Sequence, residues 1–285
     1  MKPPGISENP AGSYAPRKYW ADVAEKFQSA DAAGFAPVLH PDAPPWFNQL
    51  IDELQFRAIR RALAVAEIPP GARVLDVGCG TGRWVRRYRE NGFRAAGIDG
   101  QYGMLERARA QRTEAPLLAG DACHLPFADA AFDAVTDITV VQHIPASLQR
   151  QALGEMLRVL RPGGRLILME LIRGKDGHIF PRSPQDWIEQ ATSCGATLID
   201  WFGQEFVLLD RLFVRMVQSL PGRGMRGASS IAASSEAGPR PMAGARRVYW
   251  ELRHVTAQLS AWADPLAEKI CPARLATHGV FVLRK

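Results

Sequence analysis

The chain has 285 residues, 47% of them hydrophobic and 22% charged, with a formal net charge of +6. This balance excludes a chain that is disordered throughout and fits one large folded domain, or one domain with additions. No run of about 18 uncharged apolar residues occurs and the opening MKPPGISENPAGSY has no signal-like apolar centre, so a cytoplasmic protein without a membrane span is expected.

Residues 1–45 are rich in proline and glycine and read as an N-terminal flap with one short helix, Tyr19–Phe27. Tyr14, Lys18, Tyr19 and Trp20 form a cluster suited to folding over a ligand or packing on a sheet edge. Residues 46–66, WFNQLIDELQFRAIRRALAVA, carry apolar side chains at helical spacing, and Pro69-Pro70-Gly71 ends that helix. Strands and helices then alternate. Ala72–Val77 is a strand, Arg83–Asn91 a helix, Phe93–Ile98 a strand and Met104–Gln111 a helix. Ala115–Ala119 and Ala131–Asp137 follow as strands, and Ser147–Leu160 as an amphipathic helix. Arg161-Pro-Gly-Gly164 breaks it before a fifth strand, Arg165–Glu170. Such alternation predicts a mostly parallel sheet covered on both faces, a doubly wound α/β fold.

Further along, a helix from Ser183 to about Cys194, a strand Thr197–Trp201 and a helix Val207–Leu220 are expected. Residues 221–245 are Gly, Ala, Ser and Pro with few large apolar side chains, which predicts a flexible loop or a substrate lid. A helix Arg246–Ala261 and a final strand, HGVFVLRK, complete the chain. The four cysteines, Cys79, Cys123, Cys194 and Cys271, show no metal-ligand spacing and read as reduced thiols, and no metal is expected. No base-stacking pattern of basic and aromatic residues accompanies the arginine-rich stretches, which favours solvated helix faces over a nucleic-acid surface.

The chemistry concentrates in Val74-Leu-Asp-Val-Gly-Cys-Gly-Thr-Gly82. Glycines 78, 80 and 82 directly after a buried strand form a turn whose bare backbone admits a ligand closely. Their spacing is not that of a dinucleotide fingerprint. Asp76, two residues before the first glycine, suits an ammonium group rather than a pyrophosphate.

This string resembles motif I of the class I S-adenosylmethionine-dependent methyltransferases, with a small-molecule, type 11-like core. Gly97-Ile-Asp99-Gly100, Gly120-Asp-Ala-Cys-His-Leu-Pro-Phe127, Phe132 to Ile144 and Leu157 to Leu168 resemble the later motifs in the family's order. The resemblance covers residues 72–170, a little over a third of the chain. It implies S-adenosyl-L-methionine as cofactor. Asp76, Gly78, Cys79, Gly80 and Gly82 would form its glycine-rich turn, and Asp99 and Gly100 would meet the ribose. Asp121 and Ala122 would lie at the adenine, and Thr139 would join the cofactor residues; Asp137 departs from the apolar or small residue usual in the family and is a candidate to orient the cofactor amino group or an amine acceptor. It further implies a seven-stranded Rossmann-like sheet whose last strand is antiparallel. The expected divisions are a cover at 1–45, a core at 46–201, an insertion at 202–274 that helps to cover the substrate, and a closing strand at 275–285.

Methyl transfer is an in-line displacement that needs alignment and exclusion of water, and a hydroxyl acceptor also needs a base. His143 and Glu170 end the fourth and fifth strand regions and are the candidate bases, with His40 and His178 as further candidates. A structural hydrogen bond for His143 and a polar strand end for Glu170 are the plainer readings. The expected activity is O-methylation of a small molecule, such as a sugar or secondary metabolite. N-methylation, a peptide acceptor, or a non-catalytic cofactor-binding partner protein are the alternatives. No nucleic acid or membrane partner is expected, and the chain reads as a monomer or homodimer.

Overall fold

A computed structural model describes residues 16–26, 39, 43–111, 115–173, 179–219 and 244–285. Two helices, α1 (Pro16–Lys26) and α2 (Pro45–Val65), precede the sheet. The parallel half follows as β1 (Arg73–Val77), α3 (Arg83–Glu90), β2 (Arg94–Asp99), α4 (Tyr102–Ala110), β3 (Leu117–Ala119), β4 (Phe132–Ile138), α5 (Gln149–Val159) and β5 (Leu160–Leu171). The chain then adds α6 (Pro184–Ser193), β6 (Thr197–Gln204), α7 (Leu208–Ser219), α8 (Gly244–Ile270) and β7 (His278–Arg284). The seven strands form one sheet in the order β3-β2-β1-β4-β5-β7-β6, and β7 runs antiparallel to both its neighbours. The expected doubly wound sheet with a reversed last strand is therefore present.

Local chemistry explains the element ends. Proline at the first helical position starts α2, where its missing N–H is no loss. Ser183 caps α6 by accepting from the Asp186 N–H while the Asp186 carboxylate accepts from the Ser183 N–H. The central strands are apolar on both faces. Leu75, Val135, Leu168 and Phe281 face α5 and α6, where Met156 and Trp187 are fully buried. Val74, Ala134, Ile167 and Val282 face α2 and α3, packing on Ile59, Trp84 and Tyr88. Each such large apolar side chain contributes roughly 1.5–3 kcal/mol.

Several boundaries differ from the sequence pattern. The Arg161-Pro-Gly-Gly164 segment does not break the chain before β5 but lies inside it. Leu160 pairs with Phe132 and Arg165 with Ala134, so a bulge absorbs the extra residues, with Gly163 at φ +73°. β6 continues to Gln204, and α8 continues past Ala261 through Pro265 to Ile270. The first helix begins at Pro16 rather than Tyr19. Of the expected loop at 221–245, residues 221–243 lie outside the described residues, and α8 begins at Gly244.

α7 and α8 pack together and onto α2. Phe47, Leu50, Ile51 and Leu54 of α2 meet Val207, Tyr249, Trp250 and Ala257. The buried Asp210 accepts from the Arg253 guanidinium at 3.0 Å, and its own N–H donates to Ser260 Oγ at 2.9 Å. At the start of α7, the Phe206 and Val207 N–H groups donate to Asp264 of α8, at 2.9 and 3.2 Å.

Candidate active site

The first half of the site is backbone. After β1 the chain turns through Gly78, Gly80 and Gly82, all at positive φ, and enters α3. Gly78 donates its N–H to the Ile98 carbonyl at 2.7 Å. A Cβ built on Gly78 would overlap the Val140 side chain, so this glycine is required by space as well as by conformation. Cys79 is buried beside Gly97, and burial pushes its thiol pKa up. At that position the backbone matters and the sulfur is inert.

Asp99, half-buried at the end of β2, faces this turn. Its Oδ2 accepts from the Gly80 N–H and its Oδ1 from the Gln101 N–H, each at 2.7 Å. Each carboxylate oxygen has two acceptor directions, so one remains on each for a further donor. Gly100 follows close to the Gly120 carbonyl. Asp121 bends the next loop by accepting from the Cys123 N–H at 2.9 Å, with Ala122 half-buried beside it.

Asp76 lies deeper than Asp99. It lies on the α3 face of the sheet, is 1% exposed and accepts from the Thr136 hydroxyl at 2.8 Å. Burial raises its pKa to about 7. The carboxyl is thus held inside the protein two residues before the glycine turn.

The second half of the site is built by side chains. Thr139, after β4, is held at φ +60°, an unfavourable region for a β-branched residue. Its N–H donates to the Met169 carbonyl at 2.7 Å. A single 3-10 turn, Val141–His143, follows. Glu170 at the end of β5 organises this turn. Its Oε1 accepts from the Val140 and Val141 N–H groups at 3.1 and 2.9 Å, and its Oε2 from the Gln142 N–H at 3.0 Å. The side chains of Gln142 and Gln149 complete the clamp. Gln142 Oε1 accepts from the Leu171 N–H at 2.7 Å, and Gln149 Nε2 donates to the carbonyls of Val141 and Ile144 at 3.1 Å.

Glu170 is fully buried, so the expectation that it stands at the open edge as a base is corrected. Its carboxyl is an acceptor for three backbone donors. Asp137, also fully buried, is its neighbour. Burial raises the pKa of both, and the second carboxyl raises Glu170 further. The three N–H donors act against this rise at Glu170.

His143 projects from the clamped turn and is half-buried. Its ring meets Trp20 edge-on, with centroids 5.1 Å apart and an interplanar angle of 87°. Trp20 lies on α1, which packs on α4 through Val23, Ala24 and Met104. The N-terminal helix therefore reaches the end of β4. Tyr14, the Lys18 side chain, His40 and His178 lie outside the described residues. The sequence reading missed Gln142, Gln149 and Thr136. Buried polar residues beside a motif were the available signal.

Comparison with known proteins supplies the decisive observation: residues 75–168 match a family model described as a methyltransferase domain. This segment, about a third of the chain, is thus similar to a methyltransferase domain. The domain spans the glycine turn, Asp99, Asp121 and the clamped turn after β4. The cofactor expected of such a domain is S-adenosylmethionine, and the residues present are compatible with it: Asp99 keeps one acceptor direction on each oxygen beside a turn with no side chains in the way. Among the described residues, no group of three or more His, Cys, Asp or Glu is placed to hold a metal. Nor is any described helix long and apolar enough to cross a membrane.

The chain is 40% identical over 125 residues to a demethylmenaquinone methyltransferase of Renibacterium salmoninarum, covering 43% of this chain and 52% of that protein. It is 39% identical over 117 residues to a malonyl acyl-carrier protein O-methyltransferase of Serratia marcescens, covering 40% and 44%. The chain thus spans about half the length of the curated relatives it matches. A Mesorhizobium loti S-adenosylmethionine dependent methyltransferase shares the fold, with a TM-score of 0.50, 15% identity and coverage of 83% of this chain and 100% of that one. The 4+2 cyclase SpnF does so too, with a TM-score of 0.50, 23% identity and coverage of 79% and 80%.

Proposed function

We propose that the whole chain is an S-adenosylmethionine-dependent methyltransferase acting on a small molecule, with a hydroxyl oxygen as the favoured acceptor. The observation that carries this reading is the joint between the two halves of the site: Val140, on the Glu170-clamped turn, closes against Gly78 of the cofactor turn. Cofactor turn and His143 are thereby held in one rigid frame.

Within it, Gly78, Cys79, Gly80 and Gly82 supply bare backbone, Asp99 and Gly100 serve the ribose, and Asp121 and Ala122 the adenine side. The bound cofactor would supply an electrophilic methyl group on a sulfonium. His143 is the proposed base, taking the acceptor proton as the oxygen attacks. Glu170 holds the turn from which His143 projects and does not touch the acceptor. Asp137 and Thr139 shape the floor between them. Trp20 and α1 cover the site and keep water from the reacting atoms.

The acceptor is not transferred from the relatives. One matched relative is named for demethylmenaquinone and another for a malonyl acyl-carrier protein, so the shared segment serves different acceptors. A cyclase shares the fold as well, and fold alone does not fix chemistry. The test is calorimetric titration with S-adenosylmethionine and S-adenosylhomocysteine, followed by a methyl-transfer screen of hydroxylated, phenolic and amine acceptors. Micromolar binding with transfer to a hydroxyl is expected. Binding without transfer to any acceptor would favour a non-catalytic cofactor-binding protein. Absence of binding would sink the reading.

A further inference from the structure

α8 is a 27-residue helix with two apolar faces, and only one of them is used inside the described structure. Tyr249, Trp250, Ala257 and Ala261 are buried toward α2 and α7. On the other side, Val248, Leu252, Val255, Leu259, Trp262 and Leu266 are all exposed. Leu209 and Leu212 of the adjoining α7 are exposed as well. Fractional exposure of these eight side chains runs from 45% at Leu209 to 84% at Trp262.

Their spacing alternates four and three residues, the heptad seam of a two-helix coil rather than a scatter of surface apolars. Together they expose roughly 900 Å², about what each partner contributes to a standard interface and more than a typical monomer leaves uncovered.

We propose that this face is the homodimer interface, where α8 pairs antiparallel with α8 of a second copy. The seam is self-complementary. An antiparallel pairing whose two-fold axis passes at the level of Ala257 sets Val248 against Leu266 of the second copy, Leu252 against Trp262, and Val255 against Leu259. Every seam residue then has an apolar partner, and each contact occurs twice, as an isologous interface requires. The surface is a convex helix face, not the concave pocket that a small molecule needs. Its flank carries both signs, with Arg247 paired to Glu251 at 2.8 Å, and lacks the cationic collar of a helix that lies on a membrane. The seam is firmly held from behind, because Arg253 bonds Asp210 and stacks 4.5 Å from the centre of the Phe47 ring.

Sedimentation equilibrium of the full chain at low micromolar concentration tests this. A dimer is expected, and Leu252→Glu and Trp262→Glu should each weaken it by at least about tenfold in Kd. Both sites are exposed, so circular dichroism should stay unchanged. Ile199→Glu, at an exposed site on β6, should leave the dimer intact. A monomeric wild-type chain would overturn the proposal, as would a dimer that survives both seam substitutions. So would a monomer that floats with phosphatidylglycerol vesicles, because the seam would then be serving lipid.

Discussion

The two halves of the site are kept in shape by opposite means. Beside β1 and β2 side chains are removed: three glycines at positive φ bare the backbone, and Asp99 ties the turn to β2. Beside β4 and β5 side chains are buried: Glu170 draws three N–H groups inward, with Asp137 as its neighbour. The first half is a bare backbone turn tied to β2. The second is a buried carboxyl pin whose stability depends on protonation.

The largest test of that contrast is Gly78→Ala. A left-handed alanine costs about 1–2 kcal/mol, and its Cβ would also overlap Val140, so both halves of the site should be displaced. Cofactor Kd, measured by calorimetry, should rise by more than about 100-fold. Wild-type binding would show that the halves are not joined there. Next is Asp99→Ala. Losing two hydrogen bonds of about 1.5 kcal/mol each should weaken cofactor binding about 100-fold, with kcat at saturating cofactor far less affected.

Glu170→Gln and Asp137→Asn should separate charge from shape. Glu170→Gln replaces one acceptor oxygen by an amide donor facing N–H groups, and should lower stability by about 2 kcal/mol and kcat by about tenfold. Asp137→Asn removes a like charge, and its melting temperature at pH 8 should match or exceed that of the wild type. The pH dependence follows the same logic. Asp76, at about 7, and the Asp137–Glu170 pair have folded-state pKa values raised above their unfolded ones. Their contribution is full below about pH 4 and is lost as pH rises through the raised values, about 7 for Asp76 and Asp137. Wild-type melting temperature should therefore fall between pH 5 and about 8, and Asp137→Asn should flatten the fall. Asp133, held at about 2 by its bonds with Arg73, acts in the opposite sense: its contribution is present above about pH 4 and lost as pH falls toward about 2. The smallest effect should come from Trp20→Ala. Losing one edge-on aromatic contact of about 1 kcal/mol should raise acceptor KM several-fold and leave cofactor Kd unchanged.

What was legible in the sequence follows the same division. Glycines in a turn announce themselves because few other residues tolerate positive φ, so Gly78, Gly80 and Gly82 were visible together with the strand before them. Asp99 was legible through its place at a strand end. The burial of Asp76 against Thr136 was not legible, because that contact joins residues sixty positions apart. Glu170 was found for the wrong reason: a strand-end carboxylate looks alike whether it faces solvent or caps three backbone donors. The clamp itself joins residues about thirty positions apart, and no local pattern encodes it. The Arg161–Gly164 bulge and the length of α8 were unreadable for a related reason. Proline and glycine normally punctuate, and here tertiary pairing overrides them.

The placement of β7 also bears on how the chain is made. Among the described residues β6 finds its only sheet partner in β7, and residues 205–277 lie between them. A ribosome that has finished β6 has therefore produced an orphan strand beside a sheet whose β5 edge is still open. Both edges must wait until the helical insertion has been synthesised and β7 can slip between them. Over that interval the nascent chain offers two pairing-competent edges to its neighbours, and holding them apart becomes a task for chaperones or for rapid translation of the insertion.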